Sequence, residues 1–218
     1  NANGEVEWNN LYYPINGSKN YYIKEISISS DYESDEVGVC KRVNVNKSET
    51  TIDIENVPKG KGTVKINKTD SYTKEKISGV RFGIYSDSNC KAKATDYLGN
   101  PLEDKTTNAN GEVEWNNLYY PINGSKDYYI KEISVPAEYE EDEVGICKKV
   151  TLKAEDNEYA DDKEEVEMNI ENIPKGKATI LVNKIDKYTG GPISGVKFGI
   201  YQDNKCTVKA TNYKGEEY

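Results

Sequence analysis

The chain lacks histidine altogether and carries one methionine and two phenylalanines among its 218 residues. Without an imidazole, no Ser-His-Asp or Cys-His nucleophile can be assembled. The common zinc sites, which draw on His and Cys, are largely excluded with only four Cys in the chain. Apolar runs never exceed a few residues, so no stretch reads as a membrane span or a signal peptide. Basic residues are in the minority: 29 Lys and Arg against 38 Asp and Glu leave a net charge of -9, which argues against nucleic acid as a partner. The 7 Pro and 17 Gly are scattered as turns, which excludes a collagen-like or low-complexity chain. Tyrosine, by contrast, is abundant at 18 residues.

The dominant feature that is present is a repeat. NANGEVEWNNLYYPINGSKNYYIKEIS at residues 1 to 27 returns with one change from residue 108, an offset of 107. IENVPKGKGTVKINK is matched by IENIPKGKATILVNK at an offset of 116. Glu25 thus corresponds to Glu132 and Cys40 to Cys147, while Asn56 corresponds to Asn172, Lys68 to Lys184 and Cys90 to Cys206. The nine-residue difference is an insertion between Cys147 and Asn172, where KAEDNEYADDKEE sits, expected as a solvated hairpin loop; that stretch lacks the Asp-x-Asp-x-Asp-Gly spacing of a calcium loop. The repeat divides the chain into residues 1–61, the C-terminal part of one copy, 62–177, a complete copy, and 178–218, the N-terminal part of the next. Residue 1 falls inside a motif, so the sequence reads as part of something longer.

Within one period, short runs rich in Val, Ile, Tyr and Thr alternate with turn residues about every ten positions, the pattern of an all-β sandwich. Strands are expected near 62–69, 79–86, 111–115, 127–134, 144–152 and 165–172, with turns at Asn110-Gly111, Asn123-Gly124 and Gly99-Asn100-Pro101. The junctions VPKG and IPKG are short enough to couple neighbouring copies stiffly.

Three strands share an anomaly. Period two places Val64, Ile66 and Lys68 on one face, Tyr128, Ile130 and Glu132 on another, and Val166, Met168, Ile170 and Asn172 on a third. Each apolar stripe ends in one polar side chain: an amine, a carboxyl and a carboxamide. Buried separately they would be costly, and together they make sense.

KINKTDSYTKEKISGVRFGIY, followed by TTNANGEVEWNNL, YYIKEISVP and IENIP, resembles the CnaB-type (SpaA-like, prealbumin-like) domain of Gram-positive surface proteins and pilins. The resemblance implies tandem immunoglobulin-like β-sandwich repeats. It also implies an intramolecular isopeptide bond from a first-strand lysine, Lys68, to a last-strand acceptor, Asn172, assisted by a buried acid, Glu132. In such a site burial lowers the lysine pKa and raises that of the acid, so that a neutral amine can attack the carboxamide while Glu132, hydrogen-bonded to the amide oxygen, moves protons. The alternative is a buried trio that is hydrogen-bonded and no more.

In an exported protein, the once-per-period Cys90 and Cys147 form a natural intradomain disulfide, closing a loop for which chain entropy gives roughly 4 kcal/mol; a pair of free buried thiols is the alternative. Trp115 and the Tyr119-Tyr120 pair are read as core and interface packing rather than a sugar platform. Function is then expected to be structural: a stalk or shaft module of a bacterial cell-surface adhesin, pilus or filament, extracellular, with self-catalysed cross-linking as its only chemistry, no cofactor and no metal. A ligand-binding adhesin module for host protein or glycan is the competing reading. Finally, Tyr218 corresponds to Leu102 and Asn1 to Asn108, so 178–218 followed by 1–61 would rebuild a domain lacking only the counterpart of 103–107. Lys184 of one copy is expected beside Glu25 and Asn56 of the next, and Cys206 beside Cys40, whether the copies are successive repeats or separate chains arranged head to tail.

Overall fold

Period-two alternation yields nine strands and no helix among the described residues, 2–154 and 164–218 of this computed structural model. They are β1 (Lys19–Lys24), β2 (Cys40–Val45), β3 (Lys59–Asp70), β4 (Arg81–Tyr85), β5 (Lys105–Thr106), β6 (Glu112–Pro121), β7 (Ser125–Ser134), β8 (Cys147–Lys153) and β9 (Glu165–Asn172). Most of the acidic insert lies outside the described residues. No helix among those described is long and apolar enough to cross a membrane.

Strands β3 to β9 form two sheets, ordered β6-β3-β9 and β5-β4-β7-β8. The core lies between them. Val64, Ile66, Trp115, Leu118 and Ile170 from the first sheet meet Phe82, Ile84, Tyr128, Ile130, Val150 and Leu152 from the second. Burying each of these large side chains stabilises the fold by about 1.5–3 kcal/mol, before the entropy of ordering it is subtracted. Trp115 is fully buried and donates its indole N–H to the Glu103 carbonyl at 3.0 Å, so it serves the core. Tyr120 lies over Gly60, where any Cβ would fall 2.6 Å from the ring.

β3 occupies the centre of its sheet, antiparallel to β6 and parallel to β9. Parallel pairing puts the first and last strands of the domain side by side with a fixed register: Lys68 opposite Ile170 and Asp70 opposite Asn172. Lys68, Asp70, Ile170 and Asn172 are all buried on that sheet. β6 runs six residues beyond the expected end at 115, because a register shift between Gly62 and Val64 lets pairing continue past polar Asn116 and Asn117.

The other segments are sparer. β1 and β2 pair only with each other. The stretch before β3 leans on the domain through an ion pair of Lys61 with Asp31 at 2.7 Å and a hydrogen bond from the Tyr119 hydroxyl to Glu33 at 2.8 Å. Burial and that carboxylate push the Tyr119 pKa up to about 12.

Candidate functional site: a buried lysine, glutamate and asparagine

The site is built where the two sheets meet. β3 delivers Lys68 and β9 delivers Asn172 from the first sheet, and β7 delivers Glu132 from the second. Along β9, Asn172 stands two residues beyond the partner of Lys68, an offset of about 6.6 Å. An extended lysine stem spans about that length, so the amine is carried along the strand toward the carboxamide.

Lys68 and Asn172 are fully buried and Glu132 almost so. The Lys68 Nζ lies 3.3 Å from Glu132 Oε2. Asn172 Nδ2 donates to Glu132 Oε1 at 3.2 Å. The carboxyl thus faces both partners, as the alignment of stripes in the sequence anticipates. One detail differs: Glu132 meets the amide nitrogen of Asn172, not its oxygen. Rotation of the terminal carboxamide torsion by half a turn exchanges the two, because that torsion is broad and roughly two-fold.

The electrostatics follow from burial. Desolvation pushes the Lys68 pKa below its ordinary 10.5, against the pull of the Glu132 charge. Desolvation likewise pushes Glu132 above 4.5, opposed by Lys68 and Asn172. Both shifts favour the same redistribution, in which the proton leaves the ammonium for the carboxylate. Three atoms of the trio, Lys68 Nζ, Glu132 Oε2 and Asn172 Oδ1, are shielded from solvent without a hydrogen-bond partner. Such a group costs about 1–3 kcal/mol, so the uncombined trio is a local weakness in the core.

Two supports hold Lys68 in place. Its N–H donates to the Gly111 carbonyl at 2.7 Å and its carbonyl accepts from Ile77 at 3.0 Å. Gly111 has φ +70, and an added Cβ there would lie 2.5 Å from the Lys68 carbonyl oxygen. Asp70 is a neighbour that reading the sequence missed, although period two continues from Lys68 to it. Its carboxylate accepts from the backbone of Thr73 at 2.9 Å and Tyr72 at 2.8 Å, which hold it below the usual carboxylate range. The turn it closes brings Ser71 N–H to the Asn172 carbonyl at 3.0 Å. Over Glu132 lies the segment leading into β8, anchored by the Gly145 N–H on the Glu132 carbonyl at 2.9 Å. That segment ends at Cys147, which is disulfide-bonded to Cys90 with a Cα separation of 6.1 Å.

The corresponding residues of the partial copies are not assembled. Asn56 Nδ2 donates to Glu25 Oε2 at 3.1 Å, reproducing the Asn172–Glu132 contact. Lys184 stands exposed elsewhere, and Cys40 and Cys206 are exposed free thiols.

No curated protein matches the chain. Among solved structures, the Bacillus anthracis TIE protein is 21% identical with a TM-score of 0.40, over 72% of this chain and 25% of its own. A streptococcal ancillary pilin is 18% identical with a TM-score of 0.42, over 72% of this chain and 42% of its own. The full-length major pilin SpaD of Corynebacterium diphtheriae is 19% identical with a TM-score of 0.42, over 63% of this chain and 34% of its own. The chain therefore spans less than half the length of each of these three. Residues 62–171 match the model of the SpaA domain, described as a prealbumin-like fold domain. That match covers just over half of the 218 residues and the two-sheet sandwich except for the first three residues of β3 and Asn172 at the end of β9, and the chain belongs to the SpaA prealbumin-like domain family.

Proposed function

We propose that residues 62–177 are a load-bearing module of a bacterial cell-surface or pilus protein, locked by an isopeptide bond between Lys68 and Asn172. The observation that carries the reading is the buried pair Lys68 and Asn172 toward the ends of two parallel strands, the first and last of the domain, with Glu132 of the facing sheet buried against both. Glu132 Oε2 takes a proton from the Lys68 ammonium. The neutral amine attacks Asn172 Cγ, Glu132 returns its proton to Nδ2 and takes one from the attacking nitrogen, and the Cγ–Nδ2 bond breaks as ammonia leaves, with Glu132 ending protonated. No external catalyst is needed, since the fold holds the groups in contact. The product is a neutral amide, which removes a buried amine and the charge that accompanies it.

Intact mass tests the proposal. The folded chain is expected to weigh one ammonia less per complete domain than its sequence, and Glu132→Gln, which preserves shape but cannot cycle a proton as a carboxyl does, is expected to retain the full mass. An unmodified wild type, or a variant that loses ammonia at the wild-type rate, overturns it.

A further inference from the structure

The carboxyl on which the proposed chemistry turns lies close to solvent. Glu132 is 2% exposed, yet a surface hollow lined by Tyr85, Lys131, Val144 and Gly145 reaches it. Its cover is the stretch 142–147, which before β8 begins is held to β7 by a bridge of Val144 to Glu132 and by the Gly145 N–H on the Glu132 carbonyl. Two further backbone bonds are local and long, Val144 N–H to the Glu141 carbonyl at 3.2 Å and Ile146 N–H to that of Glu143 at 3.3 Å. Gly145 takes φ +85, a conformation that a side chain would strain.

The disulfide anchors this cover at its end. Cys147, the first residue of β8, stands opposite Lys131 in the ladder and is joined to Cys90. Cys90 sits in a turn braced by Asp87, whose carboxylate accepts from the N–H groups of Asn89, Lys91 and Ala92 and whose carbonyl accepts from that of Cys90. From β7, Lys131 donates its Nζ to the Cys90 carbonyl at 3.0 Å. A braced turn, the residue beside Glu132 and the end of the cover therefore meet at one covalent link.

We propose that the Cys90–Cys147 disulfide is a positioning device for the cross-link, holding residues 142–147 over Glu132, so that the Lys68–Asn172 amide forms at its full rate only after the disulfide has closed. The inference rests on the reading of Lys68, Glu132 and Asn172 given above. Neither sulfur touches the reacting atoms. Released from Cys90, the cover loosens and water enters through the hollow, where it favours the ammonium facing a carboxylate over the neutral amine that attacks. The charged groups around the pair are then less well placed too: Asp142 and Glu143 act on it from the cover, and Glu143 is held by Lys148 at 2.6 Å. Closure is a separate step, in which the two thiols give two protons and two electrons to a disulfide oxidant such as oxidised glutathione, itself reduced to two thiols. A chain in reducing surroundings thus stays unlinked and able to unfold for longer than one in oxidising surroundings.

The test uses the 218-residue chain with the exposed Cys40 and Cys206 changed to Ser, unfolded in urea and refolded with either dithiothreitol or oxidised glutathione. Ammonia loss is followed by intact mass and strand content by circular dichroism. At equal strand content the oxidised chain is expected to react about 10- to 100-fold faster than the reduced one, the size of effect that loosened positioning produces. Cys90→Ser with Cys147→Ser is expected to match the reduced chain under both conditions. The reduced chain is also expected to give a lower and broader pH profile, because both groups return toward their ordinary values of 4.5 and 10.5. Gly145→Ala, which strains the cover and keeps the disulfide, is expected to react more slowly than the parent, and decides the matter if the reduced chain does not fold. Equal rates in folded oxidised and reduced chains overturn the inference, as do pH limbs that stay in place or a Gly145→Ala chain that reacts at the parent rate; in each of these the cross-link itself stands. Absence of ammonia loss under every condition overturns the cross-link as well.

Discussion

Stretching the middle domain from its ends distinguishes a locked sandwich from an unlocked one by length. Load enters β3 at Lys59 and leaves β9 at Asn172, and because these strands are parallel and in register the two points lie at opposite ends of the sheet, about 35 Å apart. Of the 113 residue steps from 59 to 172, the disulfide keeps 57 out of the path, leaving 56. At about 3.4 Å per residue, an unlinked domain that unfolds gains roughly 150 Å with the disulfide intact and roughly 350 Å after reduction. With Lys68 joined to Asn172, the load passes up the already extended β3 and across the bond. Everything between, the disulfide included, is bypassed. Single-molecule force spectroscopy is therefore expected to show no unfolding step from this domain in the wild type, with or without reductant, and both steps, each under its own redox condition, in Glu132→Gln. A wild-type step near 150 Å, or one that lengthens on reduction, refutes the argument.

Two further expectations concern the unlinked precursor. Its rate of ammonia loss should follow a bell in pH, because the reaction needs one proton shared by the Lys68–Glu132 pair; the acid limb lies above 4.5 and the basic limb below 10.5, measured by mass after refolding. The same shifts oppose folding: the Glu132 contribution is absent below pH 4.5 and appears as pH rises toward its folded value, and the Lys68 contribution is present near neutrality and disappears above 10.5. Once the amide forms Lys68 no longer titrates, so urea midpoints of the linked form should lose the alkaline dependence, while that of Glu132, whose carboxyl stays buried, persists. Gly111→Ala, made in the Glu132→Gln background so that unfolding is reversible, should cost about 2 kcal/mol or more, since it combines a left-handed φ with a contact on the Lys68 carbonyl. An unchanged urea midpoint refutes that account of Gly111.

The strands that were legible in the sequence are those whose alternation is clean. β9 coincides with the expected 165–172, and β3 extends the expected 62–69 at both ends. β5 went unread because Lys105 and Thr106 have no apolar pattern; it is a strand only by pairing with Arg81 and Phe82. β6 runs past the expected end at 115 through Asn116 and Asn117, which interrupt the alternation, and the shift opposite them in β3 is a tertiary fact that no local rule contains. The polar ends of three apolar stripes were visible as residue types. That β3 and β9 run parallel, which sets the amine one rung from the carboxamide, was not. Asp70 shows the opposite case, a signal present in the same period-two pattern and passed over because an acid at the end of a strand reads as solvated.

The register of β3 on β9 also bears on which molecules become permanent. A slip of one residue turns Lys68 to the opposite face of the sheet and parts it from both Glu132 and Asn172. Under the proposed chemistry a misregistered chain cannot react, and it stays free to unfold and try again. A correctly paired chain reacts and cannot return. The trio thereby acts as an inspection step, converting one arrangement of strands into a lasting record of itself and leaving every other arrangement open to proteolysis.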